Sequence, residues 1–131
     1  MIDRLVRRTV TLDASSDEVW RLLTDADELA GWLGTVDGDV LRELDGTVRR
    51  VTVGEVVEGE RLAFTWSQED GEMSEVVFTL DETDEGTRVT VEERAVLAGG
   101  RACQMAEGQW DDRLLGLELT VLSRSLVLVT V

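Results

Sequence analysis

The sequence contains no histidine, lysine, proline, asparagine or tyrosine, and only one cysteine. Without histidine the chain lacks the usual general base near neutral pH and the commonest metal ligand. Cys103 alone can neither close an internal disulfide nor build a thiolate metal cluster. No cofactor and no metal centre are therefore expected. With no proline, nothing forces a break inside a helix or a strand. The longest C-terminal apolar run, Leu126 to Val131, is far too short to span a bilayer. Met1-Ile2-Asp3-Arg4 leads into an arginine-rich strand rather than the apolar stretch of a secretory leader. A cytoplasmic protein is the expectation.

Positive charge is scarce as well. Thirteen basic residues, all arginine, face twenty-eight acidic ones, for a formal net charge of −15. Such a field repels nucleic acid and anionic membrane surfaces, so neither is expected as a partner. The acidity fits adaptation to high salt, and it fits equally a GC-rich genome that favours arginine over lysine. At 131 residues, with 43% apolar and 31% charged residues, the composition is that of one soluble domain over 1–131. A chain of this size buries enough surface to need no staples.

What is present begins with a strand over 2–13. Val6, Val10 and Leu12 share one side, Arg7, Thr9 and Thr11 the other, and Arg8 falls on the apolar side. Ser15 or Ser16 can cap a short helix whose first turn carries Asp17 and Glu18. Val19, Trp20, Leu22 and Leu23 form its buried face. A second short helix spans about 25–33, capped by Asp25 and ended by Gly34. A weak strand at 35–44 has Gly38 inside it. Turn signals at L-D-G-T (44–47), V-E-G-E (57–60), Q-E-D-G-E (68–72) and D-E-G-T (84–87) then separate four further strands in an antiparallel meander.

Gly99-Gly100 ends the meander, and a helix of more than twenty residues follows. Cys103, Ala106, Trp110, Leu114, Leu117 and Val121 recur at threes and fours as one apolar stripe, which Leu115, Leu119 and Leu122 widen. Residues 126–131 fit either a continued helix or a strand.

Taken in order, several segments resemble the START-like (SRPBCC) superfamily, and within it the branch named for the activator of the heat-shock ATPase. They are V-T-L-D-A-S-S-D-E-V-W-R-L-L-T-D-A-D-E-L-A-G-W-L, R-L-A-F-T-W, S-E-V-V-F-T-L, G-T-R-V-T-V-E-E and Gln109-Trp110. The resemblance covers nearly the whole chain. It implies an α+β helix-grip fold: a curved antiparallel sheet of six or seven strands around a long C-terminal helix, with two short helices after the first strand. It also implies a cavity between sheet and helix, which in such proteins takes lipids, polyketides, hormones or other apolar molecules. Some members are cyclases or hydratases, so fold does not by itself assign function. Asp45-Gly46-Thr47 stands where this branch often has Gly-Gly, and Glu93 stands at a polar position that is often histidine.

Strand alternation combined with this resemblance sketches an inner wall of Leu62, Phe64, Trp66, Val76, Phe78 and Val91, faced by Trp110 and Leu114 from the helix. These residues either line a ligand or fill an ordinary core. Trp20 reads as packing, and Trp32 as packing or as a ring at the cavity mouth. Glu93 points inward among valines, where an unpaired carboxylate is costly. The last strand lies beside the first in this topology, so Arg8–Glu93 is the expected pair. That pair is either a polar anchor for a ligand or a structural ion pair, unless a strand irregularity turns Glu93 to solvent. Asp111-Asp112 reads as a solvated surface pair, and Cys103 as core, because no base is present to activate it.

The function expected is binding of a small, largely apolar ligand, with Arg8 and Glu93 among the ligand-binding residues and no defined reaction. One alternative is a cyclase- or hydratase-like enzyme with Glu93 as the acid/base group. Another is a chaperone-associated interaction module. The apolar C-terminal run is the candidate surface for such a partner, or for a homodimer.

Overall fold

The computed structural model describes residues 5–68, 73–97 and 101–129, with side chains undescribed at 97, 101–108 and 125–129. Its sheet is antiparallel with seven strands: β1 (Leu5–Leu12), β2 (Gly34–Asp37), β3 (Val40–Glu43), β4 (Val48–Val57), β5 (Arg61–Ser67), β6 (Met73–Thr83) and β7 (Gly86–Leu97). The strand order is β1-β7-β6-β5-β4-β3-β2, so the last strand carries the first on its outer edge. Between β1 and β2 lie two short helices, α1 (Ser16–Thr24) and α2 (Ala26–Leu29). The long helix α3 (Arg101–Val129) packs against β1 and β7. This is the α+β helix-grip architecture, a curled sheet gripping its C-terminal helix.

Local chemistry explains most of the boundaries. Ser15 starts α1, its hydroxyl accepting the Glu18 N–H at 3.2 Å. Asp25 ends α1 and caps α2, accepting the Asp27 N–H at 2.9 Å. Each cap satisfies a backbone donor that the first helical turn leaves unpaired. The 34–43 segment is two strands rather than one, because Gly38 takes φ +64° and folds it into a hairpin. Gly86 has φ +136°, and a Cβ there would lie 2.0 Å from the Leu12 carbonyl oxygen. Only glycine lets β7 start this close to the end of β1.

The inner face follows the expected alternation. Val6, Leu12, Phe64, Trp66, Val76, Phe78, Leu80, Val89 and Val91 are buried against Trp110, Leu114, Leu117 and Val121 of α3. Leu115, Leu119 and Leu122 do not widen this stripe; they lie half exposed on the far side of α3. The sheet covers one side of the helix, and positions offset by one or two residues from the stripe rotate away from it. The helix runs on through Val129, while Cys103, Ala106 and the side chains of the C-terminal run fall outside the described residues. No helix among the described residues is long and apolar enough to cross a membrane.

Candidate functional site

Two arrangements on the concave side need explanation, a buried polar cluster and an apolar cavity. They are separate. The cluster centres on Glu93, whose inward direction survives because the β6–β7 register shift falls at its far end, between the Met73↔Leu97 and Ser74↔Ala95 pairs. Its Oε1 accepts the Trp110 indole N–H at 2.7 Å, and its Oε2 accepts the Trp66 indole N–H at 2.8 Å and the Ser74 hydroxyl. Three of roughly four carboxylate lone-pair positions are thus occupied by donors of the protein itself.

Arg8 does face inward, but it does not hold Glu93. In the β1–β7 register Arg8 stands opposite Val91 while Val6 stands opposite Glu93. The Arg8 Nε instead donates to Asp111 Oδ1 of α3 at 2.8 Å, in an ion pair whose side chains are 34% and 61% exposed. The long guanidinium reaches past the valine layer to the rim, where its charge stays hydrated. Neutral indole donors satisfy Glu93 with no guanidinium to bury.

A second buried acid lies in the same layer. Glu43 accepts from Arg49 Nε at 2.5 Å through one oxygen and from Arg113 Nη2 at 2.7 Å through the other. Taking a carboxylate out of water costs several kcal/mol, which one close cation rarely offsets; two are supplied here. The guanidiniums are in turn laid on aromatic faces. The Arg49 Cζ stands 4.0 Å from the Trp66 ring centroid, and the Arg113 Cζ stands 4.6 Å from that of Trp110. Arg113 Nη1 is buried with no hydrogen-bond partner among the described residues, and its guanidinium lies over the Trp66 and Trp110 rings. Sequence reasoning missed this trio. The available signal was that Glu43 shares a strand face with Leu41, Arg49 shares one with Val51, and Arg113 abuts the Trp110–Leu114–Leu117 stripe.

The cavity lies elsewhere, under α1 and α2 at the β2–β5 end of the sheet. It measures about 350 Å³ and is walled by Leu23 and Leu29 of the two helices, by Trp32, and by Leu41, Val51, Leu62, Phe64 and Phe78 of the sheet. Val36, Val53 and Val56 also line it and are 38%, 61% and 50% exposed, which marks its mouth. Of the residues expected to touch a ligand, Leu62, Phe64 and Phe78 lie on this wall, whereas Trp66, Val76, Val91, Glu93, Trp110, Leu114 and Arg8 do not. The physical cause is filling. Trp66 and Trp110 stack at 5.9 Å between sheet and α3, and Phe78 meets Trp110 edge-on at 5.6 Å. This space is taken up by rings, which leaves the void beneath the short helices. Trp32 is packed: its indole N–H donates to the Leu22 carbonyl at 2.8 Å, and its buried ring forms part of the cavity wall rather than the mouth. Trp20 packs against the core and is not part of that wall.

Among the described residues, no group of three histidine, cysteine, aspartate or glutamate side chains is placed to hold a metal ion. Asp45 lies at the edge of the polar cluster. Hydrogen bonds from Thr47 hold its carboxyl below the usual aspartate range, with Arg113 and Arg49 adding a smaller pull against a slight desolvation.

With this geometry established, likeness to known proteins decides the family. The model for activator of Hsp90 ATPase homolog 1-like proteins matches residues 13–121. The chain belongs to that family. Its solved structural relatives include DynU16, from the dynemicin biosynthetic locus, at 30% identity and TM-score 0.77. That likeness covers 89% of this chain and 46% of DynU16, so the chain spans less than half of that relative's length. MLL2253 from Mesorhizobium loti is 25% identical at TM-score 0.79, covering 92% of this chain and 98% of the other. The Aha1 dimer from Colwellia psychrerythraea shares the fold at 17% identity and TM-score 0.74, over 92% and 96% of the two chains. No curated protein matches the sequence. Of the two concave-side arrangements, the cavity under α1–α2 is the one that holds open apolar space.

Proposed function

We propose that this chain binds a small, largely apolar molecule in the cavity between α1–α2 and the β2–β5 face of the sheet. The observation that carries this reading is the void itself: about 350 Å³ of space with leucine, valine and aromatic walls and an open mouth. A volume in the range of roughly 300–1,000 Å³ with apolar walls and few polar groups is typical of small-molecule sites. Binding would draw on apolar burial at about 25 cal/mol per Å², less the cost of ordering the guest. Glu93 enters as scaffold: its oxygens are committed to Trp66, Trp110 and Ser74, which favours positioning the sheet against α3 over proton transfer.

The test is native mass spectrometry of freshly purified protein with organic extraction, followed by titration with the neutral fluorescent probe N-phenylnaphthylamine. The expected result is a co-purifying apolar species, or saturable probe binding that quenches tryptophan emission. Protein that is empty from several hosts and takes up no probe overturns the reading.

A further inference from the structure

The ligand reading leaves open what kind of apolar molecule the cavity takes, and its polar groups bear on that. Almost all of them are already used. The Trp32 indole N–H is spent on the Leu22 carbonyl, and the Thr24 hydroxyl donates to the Trp20 carbonyl at 2.7 Å. Among the described residues, the one charged residue on the wall is Asp39, at the β2–β3 turn beside the mouth. It is followed by β3 and preceded by Gly38 and the exposed Asp37, so the turn carries two negative charges. The nearby cation is Arg50, whose Nη1 lies 3.4 Å from Asp39 Oδ2 with both side chains largely exposed. At this turn the carboxylates of Asp37 and Asp39 oppose an anionic head group, and the guanidinium of Arg50 is already paired with Asp39.

Resting on the ligand reading above, we propose that the cavity selects neutral or cationic amphiphiles, with the polar head at the Asp39 turn, and discriminates against carboxylates such as fatty acids. A cation gains the Asp39 carboxylate. A neutral head loses nothing, because the mouth is exposed and the Thr24 and Trp32 donors of the wall are already paired. An anion is opposed by Asp37, Asp39 and the net charge of −15.

The experiment is displacement of N-phenylnaphthylamine from the intact chain at neutral pH by decanol, decylammonium and decanoate. These share one chain length and differ in head charge. Decanoate is expected about tenfold or more weaker than decanol, and decylammonium about two- to fivefold tighter, with that preference shrinking as salt rises. Asp39→Asn removes the attraction and frees Arg50, so it should bring decylammonium back to decanol and raise decanoate toward it. Decanoate competing as well as decanol in the parent protein overturns the selectivity and leaves the cavity reading standing. Failure of the probe and of all three amphiphiles to bind removes the cavity reading and this inference with it. If Asp39→Asn leaves the order of the three unchanged, the role assigned to Asp39 is wrong.

Discussion

Trp66 and Trp110 stack at 5.9 Å with 19° between their planes, and each donates its indole N–H to a different oxygen of the same carboxylate. One ring comes from strand β5 and the other from helix α3, so Glu93 of β7 ties three elements together. Aromatic pairing adds about 0.5–1.5 kcal/mol beyond burial, and hydrogen bonds to a charged acceptor about 1.5–3 kcal/mol each.

Glu93→Leu should therefore strand the buried Trp110 indole donor and the Ser74 hydroxyl proton, while the Trp66 indole N–H keeps Ser74 Oγ as acceptor at 3.0 Å. The expected loss is about 3–5 kcal/mol in urea unfolding, with Glu93→Gln intermediate because its amide keeps one acceptor. A loss below about 1 kcal/mol for the leucine variant would show that the indoles find other partners.

The two types of ion pair should behave oppositely. Glu43→Gln leaves Arg49 and Arg113 buried without a counter-charge, and should cost about 3–5 kcal/mol. Asp111→Asn breaks the half-exposed pair with Arg8 and should cost no more than about 1 kcal/mol. Equal effects from the two substitutions, in matched denaturation curves, would contradict the burial argument.

Filling the cavity should separate binding from folding. Val51→Phe adds a ring to the wall where space exists, so strain should be small and stability should change by about 1 kcal/mol or less. Probe binding should be lost. Undiminished N-phenylnaphthylamine binding in this variant would place the guest elsewhere.

Acid stability should carry a contribution from Asp45. Its carboxyl is held below the ordinary range by Thr47 first and by the arginines second, so the folded state binds this proton less readily than the unfolded chain. The resulting stabilisation is present above roughly pH 4 and is lost as pH falls through the lowered folded value. Asp45→Asn should make the acid side of the stability profile less steep, read as urea midpoints across pH. Asp45 is largely exposed, so the change should be modest; an identical profile would show that the Thr47 contacts do not persist in solution.

Much of the fold was legible because its signals are local. Ser15 and Asp25 cap helices through donors two or three residues away. The turns at Gly46, Gly59 and Gly86 use positive φ, which the glycine positions announce. The local signals mislead at 35–44, where Gly38 reads as a weak spot in a strand and is a hairpin turn, and at the second helix, which is Ala26–Leu29 rather than about 25–33. Period-two alternation placed Leu62, Phe64, Trp66, Val76, Phe78, Val91 and Glu93 on the correct face. It also placed Arg8 there, and left open whom each charge would meet.

The caps, the turns, the strand parity and the Trp110–Leu114–Leu117–Val121 stripe of α3 were readable from the chain alone, since each depends on residues within a few positions of one another. The partners and the void were set by packing between distant elements. Glu43 meets Arg113 across 70 positions, and Trp110 meets Glu93 across 17. Such contacts depend on how β5, β7 and α3 approach in space, which no short-range rule specifies. The cavity's location depends on what fills the rest of the interior. Trp66, Trp110 and Phe78 occupy much of the space beneath α3, and the apolar cavity lies under α1 and α2.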